Sequence, residues 1–167
     1  MKTASNLQGS TSSADNFSHM PEIIEKPTKS FLNCQQSNYT QEQVRYFLNL
    51  WLPNEIALSQ DDDADTRLLK RMRFNTYYQD LCTIGSVAID REKLRMKRNN
   101  YNWEEKSFKS LELDYRRSMV DNFQRTAIDL HYPVNRCKDQ WLAETLLAYM
   151  YHNRQSKRKS RVTIFNV

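Results

Sequence analysis

The residues between positions 135 and 140 combine side chains that could recognise the edges of nucleic-acid bases. They are Asn135, Arg136, Lys138, Asp139 and Gln140. Arginine and lysine pair with guanine, asparagine and glutamine pair with adenine, and a carboxylate accepts a hydrogen bond from the amino group of cytosine. The carboxylate also repels phosphate. This set therefore predicts contacts with bases, although Asp139 would be repelled by the phosphates of the nucleic-acid backbone.

A strongly basic run follows these candidates. Its cations are Arg154, Lys157, Arg158, Lys159 and Arg161. Positions 134–161 hold seven Lys and Arg against two acidic residues, an excess equal to the net charge of the whole chain, +5. Such side chains contact phosphates and add affinity and salt dependence without specificity. The pattern predicts double-stranded DNA as a ligand, with a nuclear-import signal or a solubilising surface as the alternative.

The reactive side chains form no recognisable catalytic or metal-binding pattern. With two glycines, the chain lacks phosphate-cradling loops and nucleophile elbows. His131, Cys137 and His152 have no standard zinc spacing, and the acidic run at 61–65 lacks the spacing of a calcium loop. The three widely separated cysteines indicate no disulfide framework. We therefore expect no enzyme activity, no metal and no cofactor.

A helix from Val134 to Tyr151 is predicted to present the base-contacting residues. Pro133 suits a helix start because its fixed backbone angle is helical. The apolar stripe of this helix comprises Val134, Cys137, Trp141, Thr145, Ala148 and Tyr149. Its polar N-terminal side chains would therefore face outward while Trp141 anchors the helix to a core.

Two further helices are predicted to support it. The helix from Leu113 to His131 has the stripe Val120, Phe123, Ala127 and Leu130. Only a short turn separates it from the last helix, which predicts a helix-turn-helix. The first helix begins with a capping box at Thr40 and Gln43 and ends or kinks at Pro53. Its stripe is Val44, Phe47, Leu48 and Trp51.

The central part of the chain is also predicted to be helical. The acidic run should end in a helix N-cap. Two apolar stripes of different phase then predict a kink at 73–75, and Gly85 is expected to close the helix. Positions 86–98 interleave apolar residues with five Lys and Arg, which indicates a second phosphate-contacting surface or a solvated helix face.

The composition favours an all-α fold. Two glycines and four prolines supply little turn chemistry for hairpins. Residues 1–36 are polar and aperiodic, which predicts a disordered N-terminal arm. Residues 37–154 are expected to form one helical domain, and residues 155–167 a basic tail. No segment is apolar enough to span a membrane, and the start is too polar for a secretory signal, so we expect an intracellular protein without a membrane partner.

Two segments resemble Myb/SANT-like, trihelix-type DNA-binding domains. The sequence Arg136-Cys137-Lys138-x-x-Trp141, followed by Leu146-Leu147-x-Tyr149, is similar to the third helix of that family. The sequence Tyr39-Thr40-x-x-x-Val44-x-x-Phe47-Leu48-x-x-Trp51 resembles its first helix, with Tyr39 where the family usually has Trp. Related repeats carry Lys-Asn where this chain has Lys138 and Asp139.

The resemblance implies a three-helix, helix-turn-helix bundle whose last helix lies in the major groove of DNA. Family members have a shorter central connection, so it also implies a helical insertion at about 60–112. Alternatively, Asn75-x-Tyr77-Tyr78-x-x-Leu81 is the second helix and the insertion follows it. The implied role is that of a nuclear protein regulating transcription or associated with chromatin.

Two other functions remain open. SANT-type relatives bind histone tails or partner subunits instead of DNA. The second half of the last helix is apolar nearly all round, which predicts burial under the insertion, against a partner protein or in a homodimer. The residues concerned are Leu146, Leu147, Met150 and Tyr151. The chain also resembles Myb-like accessory proteins of cut-and-paste transposons, which bring a partner enzyme to DNA.

Overall fold

Helices make up the architecture. A computed structural model describes the backbone of residues 18–164 and the side chains of residues 18–154. The α-helices in this part are α1 (Lys29–Leu32), α2 (Tyr39–Trp51), α3 (Pro53–Ile56), α4 (Ala64–Arg98), α5 (Leu113–Asp129) and α6 (Trp141–Ile164). Short 3-10 turns lie at Gln36–Asn38, Phe108–Ser110, Val134–Arg136 and Lys138–Gln140. The described residues form no strand beyond one isolated bridge. The all-α prediction is confirmed.

The helices α4 and α5 are antiparallel neighbours. Near the end of α4, Arg95 contacts Asp114 at the start of α5 (2.8 Å). Beyond the end of α5, the hydroxyl of Tyr132 donates to Asp80 in the middle of α4 (3.2 Å). Between these contacts, the buried carboxylate of Glu92 accepts a hydrogen bond from the hydroxyl of Ser118 (2.6 Å) and pairs with Arg95 (2.8 Å).

The helix α6 runs alongside α4 in the same direction. Gly85 of α4 lies against Leu147 and Met150. Farther along both helices, Asp90 of α4 pairs with Arg154 of α6. The helices α4, α5 and α6 therefore form an up-down-up bundle in which α4 and α6 end on the same side.

The helix α2 packs across this bundle. The ring of Trp51 lies 5.6 Å from that of Tyr77 and 5.0 Å from that of Tyr132. The guanidinium of Arg45 stacks 3.7 Å from the ring of Phe74. The core residues shared by the helices include Val44, Phe47, Leu48, Leu81, Ile89, Met96, Met119, Val120, Phe123, Ala127, Cys137, Trp141, Leu146 and Leu147. All of them are buried, so the bundle and α2 share one hydrophobic core.

The predicted break in the central helix is absent. The helix α4 is continuous through positions 73–75 and through Gly85, which is buried in its middle. Only the second stripe, which includes Phe74 and Leu81, faces the core. The first stripe, formed by Leu68, Leu69 and Met72, is 48–58% exposed, so the change of phase marks an exposed apolar cluster and not a kink. The segment expected to be an insertion thus contributes the longest helix of the bundle. It also supplies core residues such as Phe74, Ile84 and Ala88.

Some of the predicted helix termini are confirmed, and the predicted capping box is not. Asp63 caps α4 as expected, because its carboxylate accepts the amide of Thr66 (2.7 Å). The helix α2 ends at Trp51, and Pro53 begins α3. The capping box at Thr40 is not formed, because α2 already begins at Tyr39. Gln43 is instead fully buried, and its amide finds no partner among the described residues.

The last helix begins later than predicted. Residues 134–140 form two 3-10 turns, and α6 starts at Trp141. Asp139 and Gln140 have left-handed backbone angles, with φ of 51° and 58°, which an α-helix excludes. At its other end the backbone of α6 continues to Ile164. Much of the segment expected to be a separate tail is therefore helical in backbone.

Three residues predicted to lie in the core are less buried than expected. Leu130 is 55% exposed because it follows the end of α5 and leaves its helical stripe. Tyr149 is 39% exposed because the buried side of α6 is centred on Leu142, Leu146 and Leu147. Trp51 is half-buried at the end of α2.

Of the residues expected to form a disordered arm, 18–27 pack on the bundle instead, and 28–36 include α1 and the start of a 3-10 turn. Met20 and Ile24 are buried, and Pro27 is buried beside them. Tyr39 donates its hydroxyl hydrogen to the carbonyl of Pro27 (3.1 Å). We call residues 18–27 the N-terminal strap. Residues 1–17 lie outside the described part of the chain.

In the described residues, no helix has the length and apolar character needed to cross a lipid bilayer.

Candidate nucleic-acid interface

The N-terminal strap is bound to the segment predicted to read bases. The amide of Ile24 donates to the carbonyl of Arg136 (2.7 Å), and the amide of Lys138 donates to the carbonyl of Ile24 (3.0 Å). The same carbonyl accepts the indole N–H of Trp141 (2.9 Å). These bonds use the backbone of residues 136–138 for pairing with the strap, which accounts for the absence of an α-helix there.

The two cations of this segment also contact the strap. The guanidinium of Arg136 donates to the carbonyls of Met20 (3.0 Å) and Pro21 (3.3 Å) and is half-buried. The ammonium of Lys138 lies 2.8 Å from the carboxylate of Glu25. The hydrogen bond and charge of Glu25 raise the pKa of Lys138. Both side chains thus have intramolecular partners where DNA contacts were predicted.

The remaining three candidates do not form a groove-reading face. Gln140 donates to the side chain of Gln124 on α5 (3.1 Å). Asn135 and Asp139 are exposed. The first turn of α6 instead carries Trp141, Leu142 and Ala143, which are all buried. The N-terminus of the helix that was predicted to enter the major groove is therefore packed into the hydrophobic core.

One group of exposed cations lies at the opposite end of the bundle, where α4 and α6 end. Arg91, Lys97 and Arg98 of α4 are exposed and make no ion pair with another described side chain. Arg95 and Arg154 lie beside them, although each pairs with an acidic neighbour. We call this surface, formed by residues 91–98 and Arg154, the basic end. Cations in the last turn of a helix interact favourably with the negative end of the helix dipole, which offsets part of the repulsion between the cations of α4.

The helix α6 carries more positive charge away from the basic end. Its backbone is helical for ten residues beyond Arg154, a distance of about 15 Å at 1.5 Å per residue. The cations in that stretch of sequence are Lys157, Arg158, Lys159 and Arg161. Their side chains lie outside the described part. Because α6 runs in the same direction as α4, its backbone carries this run onward from Arg154, on the side of the bundle where α4 also ends.

The candidate zinc ligands are not assembled into a site. Cys137 is buried in the core, and burial raises the pKa of its thiol to about 12. His131 and His152 are exposed at the two ends of the bundle. Among the described residues, no three His, Cys, Asp or Glu side chains are grouped to hold a metal ion.

Sequence reasoning missed the strap and undervalued the basic end. The apolar positions of Met20, Ile24 and Pro27 are the signal that could have identified the strap as a packed segment. For the five cations at 86–98, the sequence leaves a phosphate-contacting surface and a solvated helix face as alternatives. Their proximity to Arg154 follows from the parallel course of α4 and α6, which no local pattern encodes.

Comparisons with protein-family models, with curated proteins and with solved structures found no match to this chain. The likeness to Myb/SANT-like domains stays a prediction based on the two quoted segments.

Proposed function

We propose that this protein binds DNA through its basic end, by contacts with the phosphate backbone. The observation that supports the proposal is that α4 and α6 end on the same side of the bundle, where Arg91, Lys97 and Arg98 are exposed and the sequence of α6 continues into a basic run. Cations arranged along a surface displace counterions from a duplex and bind it without reading bases. A nuclear, chromatin-associated or transcriptional role, as the family resemblance implies, belongs to this proposal.

Reading of the major groove by residues 135–140 is a narrower form of the proposal. It requires the N-terminal strap to leave Arg136 and Lys138, because both are engaged by strap atoms. Binding of DNA phosphates at the basic end does not require the strap to move. The two modes therefore differ in the residues on which affinity depends.

The test is duplex binding measured by fluorescence anisotropy over a series of salt concentrations. Replacing Arg91, Lys97 and Arg98 together with Gln should weaken binding and reduce the slope of log affinity against log salt by about 2–3. The matched control replaces the exposed Arg71, Arg73 and Arg125 with Gln, since it removes the same charge elsewhere.

An equal loss in both triple variants would show that net charge, and not the basic end, attracts the duplex. Absence of binding by the wild-type chain at low salt would refute the function itself. The pair Asn135→Ala and Asp139→Ala separates the two modes, because only groove reading predicts an altered sequence preference.

A second candidate function, self-association, is supported by two exposed apolar clusters on the solvent side of α4, which polar residues such as Thr76, Gln79 and Thr83 separate. Leu68, Leu69, Met72, Val87 and Leu94 are 48–59% exposed. At 3.6 residues per turn they fall on one face of the helix. By contrast, the apolar end of α6, where a partner was predicted, is largely buried: Leu146, Leu147 and Tyr151 contribute to the core of their own chain. The unpartnered apolar face therefore belongs to α4.

The charges of α4 favour a second, antiparallel copy as the occupant of this face. The helix has acidic residues at and before its first turn and Arg95, Lys97 and Arg98 in its last turn. A twofold axis near residues 81 and 82 would place Leu69 beside Leu94, and Asp65 beside Arg98. Opposite charges and apolar residues then meet at both ends of the interface.

Analytical ultracentrifugation over a concentration series tests this arrangement. Leu94→Asp should shift the chain towards monomer, because it places a carboxylate in the apolar contact. Leu113→Asp on α5 is the matched control, since Leu113 is exposed to a similar degree. A wild-type chain that stays monomeric throughout the series would eliminate self-association.

A further inference from the structure

A cleft lies beside the basic end, in the loop that follows α4. Its volume is about 410 Å³. It is lined by Lys97, Asn100, Tyr101, Asn102, Trp103 and Glu104. This volume is within the range of about 300–1,000 Å³ that is typical of small-ligand sites. The cleft combines two aromatic rings with amide and charged groups, next to the surface proposed to hold phosphates.

The backbone of the loop is fixed by the end of α4. Asn100 has a left-handed φ of 51° and reverses the chain. Its amide donates to the carbonyl of Lys97 (3.2 Å), and the amide of Tyr101 donates to the carbonyl of Met96 (2.9 Å). This pair of bonds is a Schellman motif, which satisfies the last carbonyls of a helix. The lining residues therefore start from a defined geometry.

The two aromatic residues of the cleft are held from behind by the bundle. The carbonyl of Trp103 accepts a hydrogen bond from the hydroxyl of Tyr151 on α6 (3.0 Å). The ammonium of Lys93 lies 4.6 Å from the centre of the Trp103 ring. The hydroxyl of Tyr101 accepts hydrogen bonds from Lys106 (2.9 Å) and from the amide of Glu112 (3.1 Å). Both rings are half-buried. They are thus oriented before any ligand arrives, which lowers the entropy cost of binding.

The polar lining suits a nucleobase better than a bare anion. The exposed amides of Asn100 and Asn102 can both donate and accept. The carboxylate of Glu104 repels anions but accepts from the exocyclic amino groups of cytosine or adenine. The ammonium of Lys97 can contact the phosphate that accompanies the base.

We infer that this cleft receives an unpaired base of single-stranded nucleic acid, stacked on Trp103, while the basic end holds the adjoining phosphates. The inference rests on the proposed nucleic-acid binding and extends it to single strands. Stacking of bases on aromatic side chains is the usual source of single-strand affinity, and it tolerates different sequences.

The first test compares single-stranded oligonucleotides of one length with and without bases. An abasic strand keeps every phosphate, so the full chain should bind it about tenfold more weakly than the normal strand if stacking contributes. Equal affinity for the two strands would overturn the inference and leave phosphate binding intact. If the chain binds neither strand nor duplex, the proposed function fails first.

The second test uses variants of the cleft. Trp103→Leu should weaken single-strand binding about tenfold and change duplex affinity by less than about twofold, since duplex bases are already stacked. Tyr149→Leu, which removes an exposed ring from α6, is the matched control. Circular dichroism establishes that each variant is folded. Equal losses for strand and duplex in Trp103→Leu would contradict a base-binding role.

A variant that leaves the aromatic framework in place gives an independent measurement. Asn102→Ala changes only an exposed side chain of the lining. It should weaken binding of the normal strand but not of the abasic strand, because the amide of Asn102 contacts the base and not the phosphate. The same change for both strands would place Asn102 outside the base site.

Discussion

Arg136 and Lys138 illustrate how the role of a cation depends on its immediate partners. Beside Asn135 and Gln140 in the sequence they resemble base-reading residues. In the folded chain the guanidinium of Arg136 donates to two carbonyls of the strap, and Lys138 pairs with Glu25. A charged group with partners must lose them before it can bind a ligand. The exposed cations of the basic end do not carry this cost.

Asp63 supports a prediction at the same scale, because its carboxylate caps α4. The hydrogen bond from the Thr66 amide lowers the pKa of Asp63 below its ordinary value of 3.8. A carboxyl group whose pKa is lower in the folded state stabilises that state above its unfolded pKa. The stabilisation disappears as pH falls through the folded pKa.

The variant Asp63→Ala should therefore lower the urea midpoint at neutral pH, with the difference from wild type vanishing in acid. Denaturation curves at several pH values measure this difference. Asp61→Ala in the same loop is the control, because the Asp61 carboxylate caps no described amide. A deficit that persists unchanged in acid would rule out the cap as its cause.

At the scale of the helices, the close approach of α4 and α6 depends on Gly85. A Cβ atom at this position would lie 2.8 Å from the sulfur of Met150 and 3.7 Å from a methyl group of Leu147. Glycine usually weakens a helix interior, but here its lack of a side chain lets the two helices pack. The same packing brings Asp90 of α4 next to Arg154 of α6, at the edge of the basic end.

Gly85→Val should overpack this contact and lower the free energy of unfolding by about 1–3 kcal/mol. Urea denaturation gives the value. Thr83→Val is the matched control, since it introduces the same side chain at an exposed position of α4. Similar stability of the two variants would mean that Met150 and Leu147 move aside without cost.

At the scale of the molecule, the strap and the basic end are separate regions at opposite ends of the bundle. The strap meets Trp141 at the start of α6, and Arg154 lies 13 residues later, about 20 Å along the helix axis. One region stabilises the fold, and the other is proposed to bind the ligand. A change in the first should therefore alter stability without altering phosphate contacts.

Ile24→Ala is expected to lower the free energy of unfolding by about 2–5 kcal/mol, because Ile24 is 1% exposed and its removal leaves a cavity. Ile23→Ala is the control, since Ile23 is 63% exposed. Under conditions where both variants are folded, their duplex affinities should match that of the wild-type chain. A gain of affinity or of sequence preference in Ile24→Ala would instead indicate that the strap masks a groove-reading segment.

Local patterns were sufficient for the class of fold and for several helix boundaries. The low glycine content and the periodic apolar stripes indicated an all-α chain. Asp63 marked the start of α4 and Pro53 the end of α2, because a capping carboxylate and a missing amide act within a few residues. The concentration of cations at 86–98 and at 154–161 was also visible in the sequence.

Contacts between distant residues decided what local patterns could not. Ile24 and Arg136 are more than a hundred residues apart, yet their backbone bond reshapes the segment that sequence reasoning assigned to a groove-reading helix. The phase change in α4 looked like a kink because both apolar stripes were expected to be buried, whereas Leu68, Leu69 and Met72 are exposed and only the stripe of Phe74 and Leu81 faces the core. Which cations face solvent together, and which are already paired, depends on packing across the bundle and became evident only in the folded chain.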